Sequence, residues 1–369
     1  MGQSVWLDYL GRGAIKSGQL QRLIEQDGLS GVTSNPDIFE KAIGESHDYD
    51  AAIHALALEG KGVEQIYQAL TVEDIQMAAD LFRPTYDRTQ GADGYVSLEV
   101  SPHLAHDIQG TIAEARRLWA AVQRPNLFIK VPATREGLPA IQQLISEGIN
   151  VNITLLFGLP RYREVANAYL AGLESLAAQQ KPLRPVASVA SFFLSRIDVL
   201  IDPQLEKIME AGGPRAELAG RIHGQVATAS AKVARQIYEE ICAGARFRNL
   251  ATRGARTQKL LWASTSTKNP AYPDLKYVEP LIGPNTINTM PLKTLEAYRD
   301  HGQPALTLGN GVTEAEATLR RLSELGIDLN SVTQQLEDEG ISKFNKPFDL
   351  LAETLSRARD AASNRRLAA

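Results

Sequence analysis

Eight short runs rich in apolar and β-branched residues recur along the chain, most of them separated by stretches with helical periodicity. They fall at 4–10 (SVWLDYL), 29–35 (LSGVTSN), 94–101 (GYVSLEVS), 126–132 (NLFIKVP), 149–156 (INVNITLL), 185–191 (PVASVAS), 259–265 (KLLWAST) and 286–290 (TINTM). Between them, amphipathic patterns run over 62–82, 107–123, 160–179, 217–243 and 291–300. Parallel strands need long crossovers, usually helices, so this alternation points to an α/β fold with a parallel sheet. Eight strands predict a closed (β/α)8 TIM barrel, with an open doubly wound sheet as the alternative.

At 369 residues, the chain exceeds the roughly 250 typical of such a barrel. Residues 36–92 are too many for one crossover and predict a helical insertion. From about 300 onward the chain is polar and helix-prone, with VTEAEATLRRLSELG (312–326) and FDLLAETLSRARDAA (348–362). These predict C-terminal helices packed on the barrel, with 362–369 frayed at the end. Neither a repeat nor a low-complexity linker interrupts the chain, so residues 1–369 read as a single domain. A formal net charge of −4 leaves no global basic field, which argues against nucleic acid as a partner. The one cysteine, Cys242, cannot form an internal disulfide, as suits a reducing compartment. With no signal-peptide pattern and no membrane-length apolar run, the expectation is a cytoplasmic protein without a membrane partner.

Side chains alternate along a strand, so each run divides into two faces. In 126–132, Phe128 and Lys130 oppose Leu127, Ile129 and Val131. In 149–156, Asn150, Asn152 and Thr154 oppose Val151, Ile153 and Leu155. In 94–101, Tyr95, Ser97, Glu99 and Ser101 oppose Val96, Leu98 and Val100. Asp8 shares a face with Trp6; Gly31, Thr33 and Asn35 share another; Ser191 goes with Val189 and Phe193. The apolar faces must meet helices, which leaves the polar faces to converge on the barrel axis. A barrel interior is normally filled by branched apolar residues, and active sites gather at the C-terminal strand ends. Asp8, Asn35, Glu99, Lys130, Thr154 and Ser191 all sit late in their runs. Each alone reads equally as a satisfied strand-end residue, with Asp8 as a cap and Glu99 as a structural partner for Lys130; together they read as a site.

A lysine enclosed with acids invites Schiff-base chemistry. The attacking amine must be neutral, whereas a free lysine titrates near pH 10.4, so the site must desolvate it. Close carboxylates oppose that, so both acids should not salt-bridge the lysine; one would act through water. Loss of water from a carbinolamine and of a proton from a hydroxyl both need an acid/base relay. Glu99 and Asp8 could divide those tasks.

GVTSNPDIFEKAI (31–43), LFIKVPATREG (127–137), NVNITLLFG (150–158), SVASFFLSRID (188–198) and LLWASTSTKNPAYPDLKYVEPLIGPNTINTMP (260–291) resemble, in order and in register, the segments of transaldolases. The longer bacterial subgroup of these class I Schiff-base enzymes is the nearest in kind. The resemblance runs from Asp8 to about residue 356. It implies that Lys130 forms the imine with the C2 ketone of the donor sugar. Glu99 is then the acid that works through a water with Thr154, and Asp8 takes the donor's C4 hydroxyl proton. Asn35, Asn152 and Ser191 would hydrogen-bond the dihydroxyacetone unit, with Thr33 among the substrate-binding candidates. Arg196 would bind phosphate beside an aromatic wall, Phe193.

Two departures stand out. Shorter transaldolases carry a second arginine after the seventh strand, where this chain reads ASTSTKN, so Ser266 or Lys268 must complete the phosphate site. The aspartate often found two residues after the glutamate is Ser101. An arginine fork and a lysine point charge could both hold a phosphate, and either could equally be a solvated loop charge.

His103 and His106 lack a third ligand pattern and read as loop or helix-start residues rather than a metal site. GRG (11–13) and GNG (309–311) are turn signals, and RFRNLATRGAR (246–256) reads as a solvated basic loop. The Leu/Ala stripe in 217–243 reads as one helix. The resemblance implies a cytoplasmic transferase of the pentose phosphate pathway, acting on sugar phosphates with no metal or organic cofactor. It is compatible with a monomer or a homodimer. The rivals are a fructose 6-phosphate aldolase, which releases free dihydroxyacetone, and a catalytically silent barrel acting as a binding protein.

Overall fold

The computed structural model describes residues 1–368, with side chains only as far as Ala362; the helix Leu329–Ala368 takes in 362–368 of the tail expected to fray, and residue 369 lies outside the described residues. The eight strands are β1 (Gln3–Asp8), β2 (Gly31–Thr33), β3 (Tyr95–Glu99), β4 (Leu127–Pro132), β5 (Val151–Leu156), β6 (Ser188–Phe193), β7 (Lys259–Ala263) and β8 (Thr286–Met290). They are parallel and form a closed barrel in sequence order, with helices around it. Packing divides the chain into two compact units. One contains Met1–Val5 and Val131–Gly340, the other Trp6–Lys130 and the chain from Ile341 on.

In the unit that begins at Trp6, parallel register decides which side chains meet. Trp6 pairs with Gly31 and Asp8 with Thr33; Ser97 pairs with Phe128 and Glu99 with Lys130. The rings of Trp6, Tyr95 and Phe128 share one face and pack together, with centroids 4.3 Å apart for Tyr95–Phe128 and 6.2 Å for Trp6–Phe128. Gly31 has no side chain because a Cβ there would lie 2.5 Å from the Trp6 indole. Between β2 and β3 lie three helices, Pro36–Gly44, Asp50–Leu58 and Val63–Arg88. The last is tied to the start of the chain by a buried cluster. Arg12 Nε donates to Asp74 Oδ1 at 2.8 Å, Tyr49 Oη donates to Asp74 Oδ2 at 2.6 Å, and the guanidinium lies over the Tyr49 ring. Enclosed charge is tolerated here because each group is paired and hydrogen-bonded.

The helix Leu329–Ala368 brings Phe344, Leu351 and Leu355 into this unit as a buried stripe. Phe348 packs edge-on against Tyr67 at 5.3 Å and against His103, whose Nε2 lies 2.7 Å from Asp349 Oδ1.

In the other unit, β6 lies at Ser188–Phe193 rather than 185–191. Pro185 cannot donate to a sheet ladder, which pushes the strand start later. The single helix expected over 217–243 is two, Gly213–Ile222 and Val226–Ala243. They break at Gly224, which has φ +65, a conformation glycine adopts without strain. Two buried aspartates hold the break: Gly224 N–H donates to Asp202 Oδ1 and Ala227 N–H to Asp198 Oδ1, each at 2.8 Å. Burial pushes the Asp198 carboxyl up to about 6, against the hydrogen bonds from Ala227 and Tyr277. The basic stretch 246–256, expected as a loop, starts inside a helix, Ala245–Ala251. Phe247 and Leu250, three apart, bury one side while Arg246 forks onto Glu174. Among the described residues no helix is long and apolar enough to cross a membrane.

Candidate active site

Lys130 and Glu99 are register partners on adjacent strands, so their side chains leave the same face of the sheet side by side. Both are buried, at 4% and 8% exposure, and Lys130 Nζ lies 3.0 Å from Glu99 Oε2. The amine donates to the main-chain carbonyl of Ser34 at 3.0 Å and lies 5.7 Å from the centre of the Phe344 ring. Ser34 is itself fixed by donating its hydroxyl to the Ser97 carbonyl at 2.7 Å. Neither oxygen of Glu99 receives a well-aligned hydrogen bond, which is unusual for a buried carboxylate. Burial therefore raises its pKa, Lys130 pulls it down, Asp8 adds to the rise, and the upward influence prevails. A carboxyl held above its usual range is suited to giving and taking protons nearer neutrality.

Asp8 and Thr33 form the second pair, and register again is the reason. Thr33 donates its hydroxyl to Asp8 Oδ1 at 2.6 Å, which orients the carboxylate. Glu99 is thus the acid in contact with the lysine, and Asp8 is steadied by a neighbouring hydroxyl. Asn35 is not on the strand. β2 ends at Thr33, and Asn35 caps the helix Pro36–Gly44, its Oδ1 accepting from Ile38 N–H at 3.0 Å. The Asn-Pro sequence signals this: a cap residue followed by proline at the first helical position. Its amide nitrogen remains a donor at the strand end.

The Val131–Gly340 unit carries the remaining candidates. Thr154 and Asn152 are fully buried on β5. Ser191 on β6 donates to Asn152 Oδ1 at 2.6 Å, which leaves the Asn152 amide group pointed by its neighbour. Thr154 Oγ1 is buried without a hydrogen-bond partner. The residue after it, Leu155, has φ +53, and the β5–β6 register shifts between Ile153 and Leu156. Such irregularities re-aim side chains at the ends of barrel strands.

Phe193 ends β6 and packs against Phe157 at 5.2 Å, with the Arg196 guanidinium 5.7 Å from its ring centre. Arg196 lies in the first turn of the helix Ser195–Glu210. Ser195 and Ser264 join the chain after β6 to the chain after β7 through a hydroxyl pair at 2.9 Å and the Ser195 N–H to the Ser264 carbonyl. Two residues beyond Ser264, Ser266 Oγ accepts from Lys268 Nζ at 2.8 Å. Lys268 is exposed and Ser266 partly so. The structure thus brings together Lys130 with Glu99, Asp8 with Thr33, Asn152 with Ser191, Phe193 with Arg196, and Ser266 with Lys268. Sequence reasoning passed over Ser34 and Phe344. Ser34 acts through its backbone, and Phe344 lies more than two hundred positions from its lysine.

Known proteins resemble this chain over nearly its whole length. The family model described as Transaldolase/Fructose-6-phosphate aldolase matches residues 5–355. A protein named Transaldolase from Thiobacillus denitrificans is 49% identical over 351 residues, covering 95% of this chain and 96% of that one. A Transaldolase from a Parafrankia species is 47% identical, covering 96% and 95%. Transaldolase 2 from a Nostoc species is 46% identical, covering 96% and 94%. The chain belongs to the transaldolase/fructose-6-phosphate aldolase family.

Proposed function

We propose that the chain is a transaldolase moving a dihydroxyacetone unit from sedoheptulose 7-phosphate to glyceraldehyde 3-phosphate, yielding erythrose 4-phosphate and fructose 6-phosphate. The observation that carries this reading is the buried amine of Lys130 at 3.0 Å from a buried carboxyl, Glu99, whose oxygens receive no well-aligned hydrogen bond.

The neutral amine adds to the donor's C2 carbonyl. Glu99 passes a proton to the carbinolamine hydroxyl, which leaves as water and gives the imine. Asp8, steadied by Thr33, takes the C4 hydroxyl proton as the C3–C4 bond breaks, and the electron pair of that bond flows into the protonated imine. The three-carbon enamine then attacks the acceptor aldehyde, and the steps reverse to free the product. Because the protonated imine accepts the electron pair, the reaction needs no metal or organic cofactor.

Thr154 is assigned to the water relay with Glu99, in keeping with a buried hydroxyl that makes no protein hydrogen bond. Asn35, Asn152 and Ser191 are assigned to the hydroxyls of the three-carbon unit. Arg196, with Ser266 or Lys268, is assigned to the phosphate, since a guanidinium fork suits two phosphate oxygens.

An assay of sedoheptulose 7-phosphate with and without glyceraldehyde 3-phosphate tests the reading. Erythrose 4-phosphate should accumulate catalytically only with the acceptor, and Lys130→Ala should abolish it. Equal turnover without acceptor, releasing free dihydroxyacetone, would make the chain an aldolase instead.

A further inference from the structure

An aromatic ring beside the reacting lysine has no part in this mechanism. Phe344 is 5% exposed, and its ring centre lies 5.7 Å from Lys130 Nζ. It reaches that position on a helix fixed one turn further along, where Phe348 is gripped by Tyr67 and His103 and Asp349 bonds His103. Phe344 is therefore held in place rather than swinging freely against the amine.

What the ring excludes follows from its neighbours. A buried water needs two to four polar partners and about 30 Å³ of space. Lys130 Nζ, the Ser34 carbonyl and the oxygens of Glu99 provide the partners; the ring of Phe344 occupies neighbouring space.

The fate of the three-carbon intermediate depends on such water. In transfer, the enamine carbon forms a bond to the acceptor aldehyde carbon. In release, that carbon takes a proton instead, water adds to the resulting imine carbon, the C–N bond breaks, and dihydroxyacetone and the free amine part. One water is consumed and no oxidant or reductant is involved.

We propose that Phe344 biases the Lys130 intermediate towards transfer, its fixed ring limiting the water that can gather beside the amine and so slowing protonation and release of the three-carbon unit. The inference rests on the transaldolase reading.

The experiment compares the full chain with Phe344→Ala and Phe344→Leu, using fructose 6-phosphate as donor. Free dihydroxyacetone release without acceptor and transfer to erythrose 4-phosphate are measured side by side, along with the thermal midpoint. Borohydride trapping of the intermediate is followed by peptide mass. The expected result is a release-to-transfer ratio at least tenfold higher in Phe344→Ala and within twofold of the parent in Phe344→Leu, which keeps apolar bulk. All three should form the Lys130 adduct. Transfer and release falling together in Phe344→Ala, at an unchanged ratio, would overturn the inference and leave the ring as packing. If Phe344→Ala does not fold, Phe344→Val and Phe344→Leu decide: the ratio must be clearly higher in Phe344→Val, which loses more bulk beside the amine, than in Phe344→Leu, and equal ratios overturn the inference. An absent adduct in the parent chain would instead sink the transaldolase reading on which it rests.

Discussion

Exchanging Glu99 for glutamine keeps the shape of the side chain and removes its charge, which sets two opposed effects against each other. At 3.0 Å from Lys130 Nζ, the attraction is roughly 5 kcal/mol at an effective dielectric constant of about 20. Taking a carboxylate out of water costs several kcal/mol, and neither oxygen of Glu99 recovers that through a well-aligned hydrogen bond. The carboxyl is held above its usual range, with burial outweighing Lys130, so the charged form is disfavoured in the folded chain despite the ion pair. The sign with pH follows. A group whose pKa is higher in the folded state stabilises the fold fully only below its unfolded value, about 4.3 for glutamate, and loses that contribution as pH rises through the folded value. Glu99→Gln should therefore melt with the parent near pH 4 and above it near pH 8. For a chain of 369 residues the unfolding entropy is roughly 0.8 kcal/mol/K, so each kcal/mol of relief raises the midpoint by about 1–1.5 °C. Transfer should meanwhile fall by about 10²–10⁴, the usual effect of removing a general acid/base. Scanning fluorimetry from pH 4 to 8 beside a coupled transfer assay reads both. A variant that melts several degrees below the parent at pH 8 would refute the reasoning and make Glu99 a structural counter-ion to Lys130.

Four further substitutions separate chemistry from architecture. Thr154→Val removes a buried hydroxyl that makes no hydrogen bond, so stability should hold or rise slightly while kcat falls at least tenfold. Arg12→Met leaves Asp74 enclosed without its cation, and about 3 kcal/mol of stability should be lost in a denaturant titration with the catalytic groups intact. Gly31→Ala pushes a methyl group into the Trp6 indole; a cost of about 1–3 kcal/mol is expected, seen as a lower thermal midpoint. Asp198 stands near 6 in the folded chain, above the usual aspartate value near 3.9. Its contribution is thus complete below the unfolded value and is lost as pH rises through about 6. The thermal midpoint of the parent relative to Asp198→Asn should accordingly fall as pH rises from about 4 to about 6 and level off above that.

What could be read from the sequence was whatever obeys a short period. Alternation along each run placed Trp6 with Asp8, Phe128 with Lys130 and Asn152 with Thr154, and all eight runs became strands. The order of strands in a barrel follows from alternation with helices, because each crossover sets the next strand beside the last. Register does not follow. Nothing in SLEV or FIKV says that Glu99 stands opposite Lys130, although that pairing decides which acid touches the amine. Boundaries failed where one signal masked another. The apolar PVASVAS run hid a proline unable to join the ladder, and the strand reading of Asn35 overrode its Asn-Pro cap signal. Contacts made through the backbone or over long separations left no local trace, which is why Ser34 and Phe344 were missed.

The central claim is that Lys130 is enclosed in order to become an imine. Incubation with fructose 6-phosphate and borohydride, followed by intact and peptide mass, measures this most directly. The expected result is a reduced dihydroxyacetone adduct on the peptide that holds Lys130, absent from Lys130→Ala. Folded protein that stays unmodified, or carries the adduct on another lysine, would contradict the claim.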